Sequence, residues 1–171
     1  MELGDGIVAQ APASVHRELE LPLHLEIVTP AKRVFEGDVD EVVVPGSEGE
    51  LGILPHHAPL VSLLGQGRLR LKHGGQVEEM AIFGGFVQVR PDRVVVLAET
   101  ADLASDIDLE RAQRARDEAE RMLEGGGVVS AEDLVAARAA LQRALIRIRI
   151  AESQRQPHHR RRQQPQEPPG E

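Results

Sequence analysis

The string D-I-D-L-E-R-A, Asp106–Ala112, decides the fold, because the period of the apolar residues changes across it. Before it the chain alternates. L-H-L-E-I-V-T (Leu23–Thr29) sends Leu23, Leu25 and Ile27 to one face and His24 and Glu26 to the other, as a half-buried strand requires. R-L-R-L-K repeats the pattern, with Arg68, Arg70 and Lys72 outward and Leu69 and Leu71 inward; V-E-E-M-A-I-F, F-V-Q-V-R and V-V-V-L (Val94–Leu97) follow. H-G-G (His73–Gly75) and R-P-D-R (Arg90–Arg93) supply turns between them, Pro91 suiting the second position of a type I turn. Short strands at this spacing predict an antiparallel sandwich or barrel from Pro22 to Leu97.

After the string the period is helical. Ala112, Ala115, Ala119 and Met122 fall on one stripe, and Asp108 stands where an N-cap would accept from an unpaired backbone N–H. The glycines Gly125–Gly127 end this helix. Ser130 then caps a second, with Asp133 in its first turn and Leu134, Leu141, Leu145 and Ile148 on one face. Two amphipathic helices with a short connection predict an antiparallel hairpin. Residues 1–20 lack any period and read as a disordered extension, and the Pro-rich basic stretch 153–171 reads as a disordered tail. The expected organisation is thus a sandwich over 21–100 and a hairpin over 101–152.

Composition narrows the function. A net charge of −8 argues against general nucleic-acid binding, and the absence of cysteine excludes disulfides and thiolate chemistry. With 2% aromatic residues, the core must be built from Val, Leu, Ile and Ala. No segment approaches the roughly 20 apolar residues of a membrane-spanning helix, so a soluble chain that meets a membrane only through partners is expected. The start M-E-L-G-D-G-I-V-A-Q lacks the features of a signal peptide. There is no phosphate-binding G-x-x-x-x-G-K-[ST], and Gly65 and Gly67 are too few for a dinucleotide fingerprint. His56-His57 reads as a loop or interface pair rather than a metal site, and His158-His159 as part of the basic tail. Neither a catalytic group nor a cofactor is called for.

The most unusual string is G-S-E-G-E-L-G-I-L-P-H-H-A-P-L-V, Gly46–Val61. Its glycines permit close turns, Pro55 and Pro59 break strand pairing, and Glu48, Glu50, His56 and His57 decorate what reads as a rigid docking loop. Within it, Gly49–Leu60 resembles the G-E-L-G-I-L-P-G-H-x-P-L motif of the epsilon subunit of bacterial F-type rotary ATP synthases, with His56 in place of the glycine before His57. V-T-P (Val28–Pro30), G-G-F-x-x-V-x-P (Gly84–Pro91), V-x-V-L-A (Val94–Ala98) and I-D-x-x-R-A (Ile107–Ala112) stand in the same order as in that family.

The resemblance implies a ten-stranded antiparallel β-sandwich followed by an antiparallel two-helix hairpin. It implies a non-catalytic rotor-stalk subunit at the cytoplasmic face of the bacterial cell membrane, coupling the ring of c subunits to the gamma subunit. By position, the resemblance implies that Glu50 and His57 are the side chains that contact the ring. For the hairpin, the resemblance implies inhibition of ATP hydrolysis in an extended form, where Arg143, Arg147 and Arg149 meet an acidic loop on the beta subunits of the catalytic alpha/beta hexamer. No cofactor is required, but ATP is implied as a weak regulatory ligand of the folded-down hairpin, held by Asp108, Arg111, Arg143 and Arg147. Asp102 stands where an ATP-binding relative has Glu, and Glu118 where it has another Arg. A rival reading is an independent β-sandwich binding module that dimerises through Leu134, Leu141 and Leu145; a second is an enzyme using Asp102 or Asp108.

Overall fold

The structure, a computed structural model, describes residues 22–125 and 130–155. The expected disordered extension at 1–20, Gly126 and Gly127 of the helix-ending run, and the His158-His159 tail lie outside these residues. The chain divides into two compact units, one ending at Leu103 and the other beginning at Ala104.

Among the described residues the first unit carries eight strands: β1 (Leu23–Val28), β2 (Arg33–Val39), β3 (Glu41–Gly46), β4 (Gly49–Ile53), β5 (Leu60–Leu63), β6 (Gln66–His73), β7 (Gln76–Val89) and β8 (Arg93–Leu103). They form one sheet in the order β2-β1-β8-β7-β6-β3-β4, with β5 added to β7. The count of eight corrects the expected ten, and the cause lies in the two longest strands. The first part of β7 pairs with β6 through Phe83, while Phe86–Val89 pair with β5. Likewise β1 takes only Arg93–Leu97 of β8, whose ladder with β7 continues to Leu103. β7 and β8 therefore each serve both layers of the sandwich without a break. Glycine makes this passage possible: Gly84 and Gly85 have φ of 67° and 112°, and a Cβ on Gly85 would lie 2.0 Å from the Leu97 carbonyl oxygen.

A second correction is that the sandwich is not wholly antiparallel, since β1 runs parallel to β8. That pairing joins residues nearly 70 positions apart, and no local pattern encodes its direction. A third is that strand structure continues past Leu97 to Leu103. Leu23, Leu25, Ile27, Val42, Val44, Leu69, Leu71, Met80, Ile82, Val87, Val94 and Val96 are buried in one core cluster. The alternation read from the sequence thus selects the inner face, and each such side chain contributes about 1.5–3 kcal/mol by leaving water.

The second unit opens with a 3-10 turn at Ala104–Asp106 and continues as α1 (Leu109–Glu124) and α2 (Ala131–Arg155), which pack on one another. The connection between them is too short to return to the start of α1, so the two helices form an antiparallel hairpin. Both expected caps are formed. The Asp108 carboxylate accepts from the Arg111 N–H at 3.0 Å, and the Ser130 hydroxyl accepts from the Asp133 N–H at 3.1 Å. The buried side chains are chiefly alanines: Ala112 and Ala119 on α1, and Ala137, Ala144 and Ala151 with Ile148 and Ile150 on α2. Met122 and Leu145, expected on the apolar stripes, are 44% and 45% exposed, and Ala115 is exposed too. α2 also runs through Ser153, whose hydroxyl donates to the Ile150 carbonyl, so helix replaces the start of the expected tail.

Candidate functional site

The glycine-rich string folds as the β3–β4 hairpin, β4 and a loop leading to β5. Gly46 and Gly49 close the hairpin, Gly49 with φ of 141°, and a Cβ on Gly46 would meet the Gly49 carbonyl oxygen at 2.8 Å. The Ser47 N–H donates to the Leu63 carbonyl at 3.1 Å and the Gly65 N–H to the Pro45 carbonyl at 2.8 Å, which pins the hairpin tip beside β5. Between Gly46–Leu51 and Leu60–Leu63 lies an open groove of about 640 Å³, with Glu48 and Glu50 on one side and Val61 and Leu63 on the other. The Glu50 carboxylate accepts from Arg70 Nη2 at 2.9 Å.

Pro55 and Pro59 bracket the loop as their chemistry dictates, since β4 ends at Ile53 and β5 starts at Leu60. His56 has φ of 64°, the left-handed conformation that favours the glycine it replaces, and its N–H donates to the Pro91 carbonyl at 2.7 Å. Nδ1 of His57 lies 2.8 Å from the Ala58 carbonyl oxygen. The structure does not bring Glu50 and His57 together. Glu50 adjoins the hairpin tip near Leu63 and Leu64, and the histidines sit by the Arg90–Arg93 turn at the other end of β5.

A surface that the sequence pattern did not single out lies next to this groove. Leu63 pairs with Phe86, Phe86 with Leu97, and Leu97 with Val28, so four neighbouring strands present one row of apolar side chains on the outer face. Leu63, Phe86 and Leu97 are each more than half exposed, as is Val61 two residues before Leu63. The signal was available in F-V-Q-V-R and V-V-V-L, where apolar residues occupy both phases of the alternation. Exposed apolar rows of this kind mark protein interaction sites.

In the second unit Asp108 and Arg111 are joined at the first turn of α1, and Arg143 and Arg147 lie half-buried one turn apart on α2. Counting back equally from the connection along both helices sets these arginines level with that first turn. Arg114 is 3.7 Å from Glu110, and Arg116 holds Asp117 at 2.6 Å, the hydrogen bond and the adjacent charge raising the Arg116 pKa. Those two cations are engaged by carboxylates of their own helix. Among the described residues, no group of His, Asp or Glu is placed to hold a metal ion, and no helix is long and apolar enough to cross a membrane.

Residues 22–104 match the beta-sandwich domain of the ATP synthase delta/epsilon chain, and residues 105–152 match its long alpha-helix domain. The ATP synthase epsilon chain of Halalkalibacterium halodurans is 50% identical over 129 residues, covering 75% of this chain and 96% of that protein. The ATP synthase epsilon chain of Desulforamulus reducens is 50% identical over 128 residues, with the same coverage. In fold the chain is similar to one in the Euglena gracilis mitochondrial ATP synthase structure (OSCP/F1/c-ring), with a TM-score of 0.67 at 19% identity, covering 90% of this chain and 100% of that one.

Proposed function

The chain belongs to the ATP synthase delta/epsilon family, as a non-catalytic subunit of the epsilon type, and from that premise we propose that it couples the c-ring to the gamma subunit in the central stalk and restrains ATP hydrolysis through its helical hairpin. The observation that carries the coupling role is the outer row Val28, Leu97, Phe86 and Leu63. It supplies a flat apolar docking face for gamma, and through Val61 and Leu63 it borders the acidic groove of the hairpin tip. One small rigid body thus has adjoining surfaces for two partners, which is what transmission of torque requires. Glu50 and His57 are assigned to the ring side. The membrane is met only through these partners, at the cytoplasmic face.

The hairpin is suited to a switch because its buried side chains are chiefly alanines. Small side chains bury little area, so the packed and extended forms need differ by only a few kcal/mol. In the extended form Arg143, Arg147 and Arg149 face an acidic loop of the beta subunits. In the packed form Asp108, Arg111, Arg143 and Arg147 take ATP weakly, the guanidinium groups pairing with phosphate oxygens.

Co-purification tests the docking face. Phe86→Glu combined with Leu97→Lys should abolish recovery of gamma with the tagged full chain and leave the melting temperature nearly unchanged, because both residues are more than half exposed and the new charges, paired across β7 and β8, are opposite in sign. Undiminished recovery of gamma contradicts the assignment.

A further inference from the structure

Two arginines stand on the same face of β6, two residues apart, and each holds a carboxylate. Arg68 donates to Glu79 at 3.2 Å, and Arg70 donates to Glu50 at 2.9 Å. The acids differ in their surroundings. The Glu79 side chain is 10% exposed, whereas that of Glu50 is 53% exposed at the rim of the groove. An ion pair so open to water adds little to stability, so its stabilising effect does not account for the arrangement.

The pair also spans an intervening strand. Arg70 lies on β6 and Glu50 on β4; Val43 of β3 is between them, registered with Arg70 on one side and Gly52 on the other. Gly52 puts no side chain in the way, and even a Cβ there would meet nothing within 4 Å. The Arg70 Nε is buried and has no hydrogen-bond partner among the described residues, so the bond to Glu50 is the one that Arg70 is seen to make. A buried N–H left unsatisfied disfavours the fold. An arrangement that costs stability at Nε and gains little from an exposed ion pair points to a task for that carboxylate.

We propose that Arg70 is a positioning residue: it holds Glu50 by Oε2 and so presents Oε1, which has no partner among the described residues, to a guanidinium or ammonium group of the docked ring. This rests on the reading that Glu50 faces the ring. The gain is preorganisation, since a side chain already fixed in its bound rotamer loses less freedom on docking, which corresponds to about three- to tenfold in affinity.

The test uses membrane vesicles stripped of the catalytic sector and rebound with sector carrying each epsilon variant, with affinity read by titration. Glu50→Gln should weaken rebinding. Arg70→Gln should weaken it three- to tenfold in the wild-type background and not at all in the Glu50→Gln background. Arg70→Lys, which keeps the charge and has no Nε to strand, should restore most of the loss. Equal losses from Arg70→Gln in both backgrounds would overturn the proposal, because Arg70 would then act independently of Glu50. So would an unchanged affinity for Arg70→Gln where Glu50→Gln weakens rebinding. If Glu50→Gln itself has no effect, the ring assignment of Glu50 fails first and the positioning role falls with it. An unaltered melting temperature for Arg70→Gln separates lost positioning from lost folding.

Discussion

Asp108 has one observed purpose, capping, and one proposed, ATP binding. Its carboxylate accepts the Arg111 N–H and so satisfies one of the unpaired donors at the start of α1. The same bond fixes the first turn, from which the exposed Arg111 side chain departs. Capping needs only the backbone of residue 111, whereas ATP binding needs its guanidinium, and the two roles separate by mutation. Calorimetry on the full chain should show weak heat of ATP binding that Arg111→Ala removes, with helix content by circular dichroism unchanged. No heat from the wild type at millimolar ATP would leave Asp108 as a cap alone. The cap was legible in D-I-D-L-E-R-A because capping is local chemistry. Engagement of Arg114 and Arg116 by neighbouring acids was less so, since side-chain pairing depends on rotamers that a string of letters does not fix.

Among the elements, β1 is the most instructive. Glu26 sits on its outer face, yet its side chain is only 12% exposed, held by Arg93 at 2.6 Å and Arg33 at 3.3 Å. Arg33 also pairs with Glu36, and His24 bridges Glu36 and Asp38. These contacts tie the edge strand β2 to β1, and β1 to the start of β8. The Arg93 hydrogen bond, aided by the Arg33, Arg93 and His24 charges and opposed by burial, lowers the Glu26 pKa below its ordinary 4.5. A carboxyl with a lowered folded-state pKa contributes stability that is complete above the unfolded value and fades as the pH falls through the folded one. Urea denaturation at a series of pH values should therefore show wild type more stable than Glu26→Gln at neutral pH, with the difference shrinking below about pH 4.5. A difference independent of pH would mean that the network contributes through packing instead. The inner face of β1 could be read from L-H-L-E-I because alternation is written locally. Its parallel partner could not, because that choice is made by residues far along the chain. The strand count failed for a related reason: whether Gly84-Gly85 ends a strand or bends one depends on how closely Leu97 approaches.

At the scale of the molecule, the two compact units divide the proposed work. The strand-built unit has a continuous aliphatic core and the exposed apolar row; the helical unit buries chiefly alanines. Sequence motifs identified the family because most of them cluster at turns and bends that favour glycine and proline, and the order survives even where His56 takes a glycine's place at φ of 64°. The outer apolar row and the Arg70–Glu50 pair emerged only when strand register set residues far apart in sequence side by side. The boundary between the units also sharpens how the division can be tested, for β8 pairs with β7 through Leu103 and a cut before that residue would remove sheet. The most direct measurement is ATP hydrolysis and ATP-driven ion pumping in membranes whose epsilon chain ends at Leu103. Assembly and pumping should persist while hydrolysis rises above that of the full-length chain. Failure to assemble, or hydrolysis that stays at the full-length rate, would contradict a stalk held by the sandwich and restrained by the hairpin.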